Sequence, residues 1–240
     1  MNKQYSTIEL ISPKHPEYIS NNRKYKKMND ASRKNNGVDH FSKAYNKALM
    51  KWEHVMQCLL SHLTSEVEER ILKFSGHRAG FDFREIDFIS QPSAEALIFC
   101  ELKLKKDYKE NLGEKSSGWA QLNKSIAIAS QKYNKLGGLA ICVDMSHVYG
   151  LTSSASEHDY CKYKDLVSYL LTPSIEHKTI WLNSLEVSAL AIQHGLLTED
   201  DIDQMKILYQ EHENPLSVLT AGEVEAINNP FLTLSSLLKN

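Results

Sequence analysis

One ten-residue stretch constrains the fold more than any other. Residues 96–105 read Ala-Leu-Ile-Phe-Cys-Glu-Leu-Lys-Leu-Lys, an apolar run that turns charged only in its second half. In a strand, successive side chains alternate between faces. Ile98, Cys100, Leu102 and Leu104 then form one wholly apolar face that must lie on a core. Leu97, Phe99, Glu101, Lys103 and Lys105 form the other, which starts buried and becomes charged midway. A segment buried on both faces at its start belongs in the middle of a sheet with other elements packed above and below. Glu101 and Lys103 would sit side by side at its end.

The flanking sequence supplies those elements. From Asp39, a cap residue, Tyr45, Ala48, Leu49, Trp52, Met56, Leu59, Leu60 and Leu63 recur at helical spacing after Phe41. Residues 68–75 suit a strand, although Ser65 and Glu68 have the spacing of a helix capping box. Residues 82–90 read as a second strand, with Ile86 and Phe88 on one face and Phe83, Glu85, Asp87 and Ile89 on the other. A turn at Gln91-Pro92-Ser93 leads into residues 96–105. A helix is expected over 118–136, ended by Gly137-Gly138, and 139–144 read as a buried strand. Residues 160–171 and 184–240 are mostly helical in pattern, broken near Pro173, Pro215 and Pro230, with one more strand at 179–182. The expected fold class is α/β, with a mixed central sheet flanked by helices and a mostly helical C-terminal extension. Three regions follow: a basic N-terminal arm over 1–39 with little core of its own, a core over 40–150, and an acidic, mostly helical region over 151–240 packed on that core.

If the strands over 82–90 and 96–105 pair, Asp87 approaches Glu101 and Lys103. Carboxylates that close repel unless a cation lies between them. Oxygen donors with room for water suit Mg²⁺, and a neighbouring ammonium could orient or activate water against a phosphodiester. Asp87 followed fourteen residues on by Glu101-Leu102-Lys103 resembles the active-site signature of the PD-(D/E)XK nuclease superfamily, whose restriction-endonuclease-like core runs helix, three strands, helix, strand. The resemblance covers about residues 40–150. It implies a metal held by Asp87, Glu101, the Leu102 carbonyl and a carboxylate on the first helix. Glu53 is the candidate for that carboxylate, with Glu66 and Glu69 as rivals. It implies Lys103 as the catalytic lysine and Gln121 as a supporting residue on the following helix. Ile86 stands where many members have proline. A second Glu-x-Lys triplet, Glu176-His177-Lys178, opens its apolar run instead of closing it and is read as chance.

The expectation is therefore an Mg²⁺-dependent endonuclease, with Mn²⁺ as a substitute, cutting DNA to 5′-phosphate and 3′-hydroxyl ends. By analogy with small divergent members, its setting would be bacterial defence or mobile-element biology. Two alternatives stay open: a silent or activator-dependent binding module on the same fold, and an RNA-directed nuclease. A homodimer and a regulatory protein at the C-terminal region are compatible partners. Composition and charge fit a nucleic-acid partner. The 240 residues carry 28 Lys and Arg against 30 Asp and Glu, yet the basic residues concentrate in 1–51 and 101–135. Lys105, Lys106, Lys109, Lys115 and Lys124 follow the candidate site, and Arg23, Lys24, Lys26, Lys27, Arg33 and Lys34 could follow a phosphate backbone. No apolar run has the length of a signal peptide or a membrane span. Cys58, Cys100, Cys142 and Cys161 lack zinc or redox spacing. A cytoplasmic protein with free thiols is expected.

Overall fold

A computed structural model describes residues 4–24, 40–64, 66–75, 80–172 and 178–213. Two sheets organise them. The strands β1 (Ile8–Ile11), β2 (Ile71–Ser75) and β3 (Phe81–Glu85) form an antiparallel sheet in that order. Four more strands, β4 (Phe88–Ser93), β5 (Ala96–Lys105), β6 (Lys135–Asp144) and β7 (Lys178–Asn183), form a mixed sheet. In it β4 is antiparallel to β5, while β5, β6 and β7 are parallel. The described helices are α1 (16–24), α2 (His40–Leu63), α3 (Glu114–Ser117), α4 (Trp119–Ala129), α5 (Tyr163–Leu171), α6 (Ser184–Gln193) and α7 (Glu199–Glu213). The chain is thus mixed α/β, as expected, and β7 continues the sheet of the region before residue 150.

Alternation along β5 divides the core into two. Ile98, Cys100 and Leu102 join Ile141, Val143, Ile180 and Leu182 on the face covered by Trp52, Met56, Leu59 and Leu60 of α2 and by α5, α6 and α7. Leu97, Phe99 and Ala140 face the opposite way, against Trp119, Leu122 and Ile128 of α4 and against Leu72 and Phe74 of β2. Burying each large apolar side chain contributes about 1.5–3 kcal/mol, so β5, apolar on both faces over its first half, is held at the centre.

The structure corrects four local expectations. The strand expected over 82–90 is two strands in two sheets. Ile86 donates its amide to the Arg70 carbonyl (3.0 Å) and packs with Ile89 in the α4-side core, whereas Phe88 enters the α2-side core. Ile86 and Phe88 therefore do not share a face, because the chain breaks alternation where it changes sheets. The expected turn at 91–93 is strand: Pro92 sits in edge strand β4 beside a register irregularity, where its missing donor is tolerated, and the turn is Ala94-Glu95. Helix α4 stops at Ala129, and Gly137-Gly138 lies inside β6. A Cβ at Gly138 would stand 2.7 Å from Ile126 Cδ1 and 3.1 Å from Trp119 Cζ3; that glycine lets the helix press on the sheet. Finally, the N-terminal region contributes core, since Ile8 and Ile11 of β1 are buried. The Asp39 cap, Lys26, Lys27, Arg33, Lys34, Glu176-His177 and the breaks at Pro173, Pro215 and Pro230 lie outside the described residues.

An integral β1 makes a simple prediction. Ile11→Ala should lower unfolding free energy by about 2 kcal/mol in urea titration; a loose arm would leave the midpoint unchanged.

Candidate active site

The site grows from the place where β4 begins. In an antiparallel pair, hydrogen-bonded residues exchange both backbone bonds, so N–H and C=O of one residue point to the same side. The β4–β5 ladder pairs Phe88 with Cys100, and its next step would pair Ile86 with Leu102. Ile86 has instead turned toward β2. Asp87 fills the gap: its Oδ2 accepts the Leu102 amide at 2.7 Å. The Leu102 carbonyl faces the same side, past the end of β4. The main chain at Asp87 is itself held, because Gln57 Nε2 of α2 donates to its carbonyl at 2.9 Å. Upstream, Arg70 pairs with Glu85 (2.7 Å), and Tyr18 donates to Glu85 (2.9 Å).

Glu101 and Lys103 lie beside this junction on the α4 face of β5. Their side chains form an ion pair at 2.6 Å, and the Glu101 side chain is 7% exposed against 25% for Lys103. Burial pushes the Glu101 carboxyl above its usual range and the Asp87 charge adds to that, while Lys103 pulls it back. Asp87 is raised chiefly by burial, against the opposing Leu102 amide and Lys103. Glu53 of α2 is also raised, first by burial and then by the Asp87 charge, with Lys103 opposing. The Asp87 charge acts on both Glu101 and Glu53, and Lys103 acts on all three carboxyls, so the four groups are linked through Asp87 and Lys103. The rival carboxylates do not join them: Glu66, whose backbone forms a β-bridge with Ser90, and Glu69 lie beyond the end of α2, and both are exposed.

Gln121 lies in the first turn of α4, at the same end as the pocket, but its side chain is exposed and no hydrogen bond ties its amide to Asp87, Glu101 or Lys103. Its carbonyl takes Arg84 Nη2 at 3.2 Å instead. Lys106 likewise departs from the expected phosphate-facing run, because it pairs with Glu213 of α7 at 2.7 Å. Lys115, Lys124, Arg23 and Lys24 are exposed.

Two residues of the site were not singled out from sequence. Gln57 follows Glu53 by four positions, the spacing that puts both on one helix face, and that signal was available. Gly118, between α3 and α4, adopts φ +89°, and a Cβ there would stand 2.4 Å from Glu101 Cγ and 3.1 Å from Lys103 Cε. A Ser-Ser-Gly-Trp stretch gives no hint of that approach.

The residues present fit a hard divalent cation. The donors are oxygens; Asp87 Oδ1 and Glu101 Oε2 are free of the bonds to Leu102 and Lys103, and the Leu102 carbonyl points to the side on which its amide meets Asp87. Among the described residues, no group of three or more His, Cys, Asp or Glu side chains is gathered closely enough to hold a metal ion by itself, so a cation here would draw on the main-chain carbonyl and water as well. Comparison with protein-family models, curated proteins and solved structures returns no match, so the reading of this pocket rests on its own geometry.

Two outcomes follow. Gly118→Ala combines a left-handed backbone with an occupied Cβ position and should cost about 1–3 kcal/mol by chemical denaturation, whereas Gly113→Ala, with nothing within 4 Å, should cost little. The second concerns pH. A carboxyl raised in the folded state holds its proton after the unfolded chain has released its own, near pH 4. Native Asp87 therefore binds excess protons in that window, and its contribution to stability falls as pH rises through the folded pKa. In EDTA, the Tm of Asp87→Asn minus that of wild type should grow from about pH 4 toward neutrality; a constant or shrinking difference would contradict the electrostatic account.

Proposed function

We propose that the chain is a metal-dependent phosphodiesterase, a DNA endonuclease on a restriction-endonuclease-like core. The observation that supports this reading is the junction at which Asp87, Glu101 and the Lys103 ammonium meet, with Glu53 contributing from α2. The strand order agrees with it, since an antiparallel β4–β5 pair is followed through α4 by a parallel β6.

Asp87, Glu101, Glu53 and the Leu102 carbonyl would hold Mg²⁺ or Mn²⁺. When bound, such an ion polarises a phosphoryl oxygen and offsets its charge. The remaining work belongs to side chains. Lys103, held by Glu101, places a positive charge beside the attacked phosphate and orients the incoming water. Gly118 keeps the start of α4 against that pair, and the Leu102 amide fixes the Asp87 rotamer. The Glu101–Lys103 bond at 2.6 Å also favours a second reading, a binding module in which the lysine stays neutralised until a partner or metal separates the pair.

A cleavage assay on single-stranded and duplex DNA and on RNA, with Mg²⁺ or EDTA, decides between them. The nuclease reading expects metal-dependent cutting that falls at least a hundredfold in Asp87→Ala and Lys103→Ala, in line with loss of one charge-stabilising group, about 10²–10³. Full activity in either variant, or none in wild type on any nucleic acid, would overturn it. Cutting confined to RNA would move the substrate and leave the site intact.

A further inference from the structure

A cavity of about 640 Å³ lies at the β7 edge of the mixed sheet, with Tyr108, Tyr160, Trp181, Asn111, Asp159 and Lys178 in its wall. Its relation to the candidate site follows from strand register. Lys103, Cys142 and Trp181 are aligned across β5, β6 and β7, as are Glu101, Ala140 and Thr179 in the row before. Residues aligned in this way share a face, so Trp181 is on the same face as Lys103. Two strand spacings, about 10 Å, separate them. Trp119 of α4, next to Gly118, donates to Thr179 at 2.8 Å, joining the two places through one side chain.

The aromatic groups are fixed before any ligand arrives. Tyr160 donates to Asp144 at 2.5 Å, and that carboxylate also accepts the Ser146 amide (2.9 Å) and the Ser153 hydroxyl (2.6 Å). Asp144 is fully buried at the end of β6 and has no part in the metal pocket; pinning Tyr160 gives it a role. Tyr108 packs on Trp181 with ring centroids 5.0 Å apart and lies 6.2 Å from the Tyr160 ring. Rings held in this way bind with little loss of side-chain entropy. The polar lining disfavours phosphate. Glu110, Asp159 and Asp165 outnumber Lys162 and Lys178, and those lysines are engaged by Glu157 (2.8 Å) and Tyr169 (2.9 Å). A neutral, planar group with amino and carbonyl edges fits such a wall, and its phosphates would stay outside, toward Lys103 and Lys105.

We propose that this cavity is a nucleobase subsite: an unpaired base next to the scissile phosphate enters it and stacks on the Tyr108 ring, so the preferred substrate is single-stranded nucleic acid. The inference rests on the phosphodiesterase reading of the neighbouring pocket. A base inside a duplex would first have to leave its stack, which costs free energy that a single strand does not spend, and stacking on aromatic side chains tolerates any base.

Binding of the full-length chain to labelled oligothymidylate and to an abasic strand of equal length, both in EDTA, tests it by fluorescence anisotropy. The base-bearing strand should bind about tenfold more tightly, as expected for one base–aromatic stack. Tyr108→Leu, which keeps apolar cover over Trp181 but removes the ring, should erase that difference. Ser168→Trp, which fills the cavity from the α5 wall without touching Tyr108, should do the same. Equal binding of the two strands, tighter binding of duplex, or a difference that survives both variants would overturn the subsite. So would displacement of the strand by tetramethylammonium and not by a nucleoside monophosphate, which would mark a cation cage. Base-dependent binding without Mg²⁺-dependent hydrolysis would sink the phosphodiesterase reading alone. Asp87-dependent hydrolysis with base-blind binding would sink the subsite alone.

Discussion

The bond from the Leu102 amide to the Asp87 carboxylate is the contact on which the arrangement depends. A ladder that loses its partner strand leaves an amide to be satisfied, and here the acceptor is an ionisable side chain in place of a backbone carbonyl. That substitution ends β4, frees the Leu102 carbonyl beside the site, and fixes a carboxylate among buried neighbours. A peptide carbonyl at the same place would complete the sheet and leave no chemistry. The chain takes the costlier acceptor, and burial pushes Asp87, Glu101 and Glu53 all upward, with Lys103 opposing in each case. Buried carboxyls with raised pKa values gathered near one ammonium mark a candidate functional site.

Much of the frame was legible because β5 carries its instructions locally. Its apolar parity names the α2 face, and the onset of charge at Glu101 marks where the core ends. The Ile86–Asp87 break was not legible. Strand propensity is similar on both sides of it, and what separates β3 from β4 is the choice of partner, β2 for one and β5 for the other. Pairing is decided by residues distant in sequence, so no window around Asp87 contains it. The same holds for β1, a strand of four residues in a polar stretch that becomes core only once β2 lies beside it.

Glycines and charges show the limit in another form. Gly137-Gly138 resembles a helix stop, yet Gly138 serves the approach of α4 to β6, and Gly118 serves the approach of the same helix to Glu101. Both needs arise from a neighbour's position and leave no periodic trace. Counting lysines after β5 located a basic stretch correctly, but Lys106 is held by Glu213, 107 residues away. A net charge describes composition, while a field depends on which charges remain without partners.

The two faces of the mixed sheet then divide the labour. On the α2 side, four helices bury a mostly apolar surface, with the buried Ser90 hydroxyl donating to the Leu170 carbonyl of α5 (2.8 Å), and secure the strand order. The α4 side is covered less completely, and each interruption of its apolar packing is polar in an ordered way: Glu101 and Lys103 on β5, and Asp144 at the end of β6. Ala140 and Cys142, both small and fully buried, separate the carboxylate pocket from the aromatic wall around Trp181. Parallel strands in register place such features side by side at one level, because a residue two positions further along any strand returns to the same face. Both faces thus contribute buried core, and the α4 face, apolar over the first half of β5, also holds charges and rings at fixed spacing where that core ends.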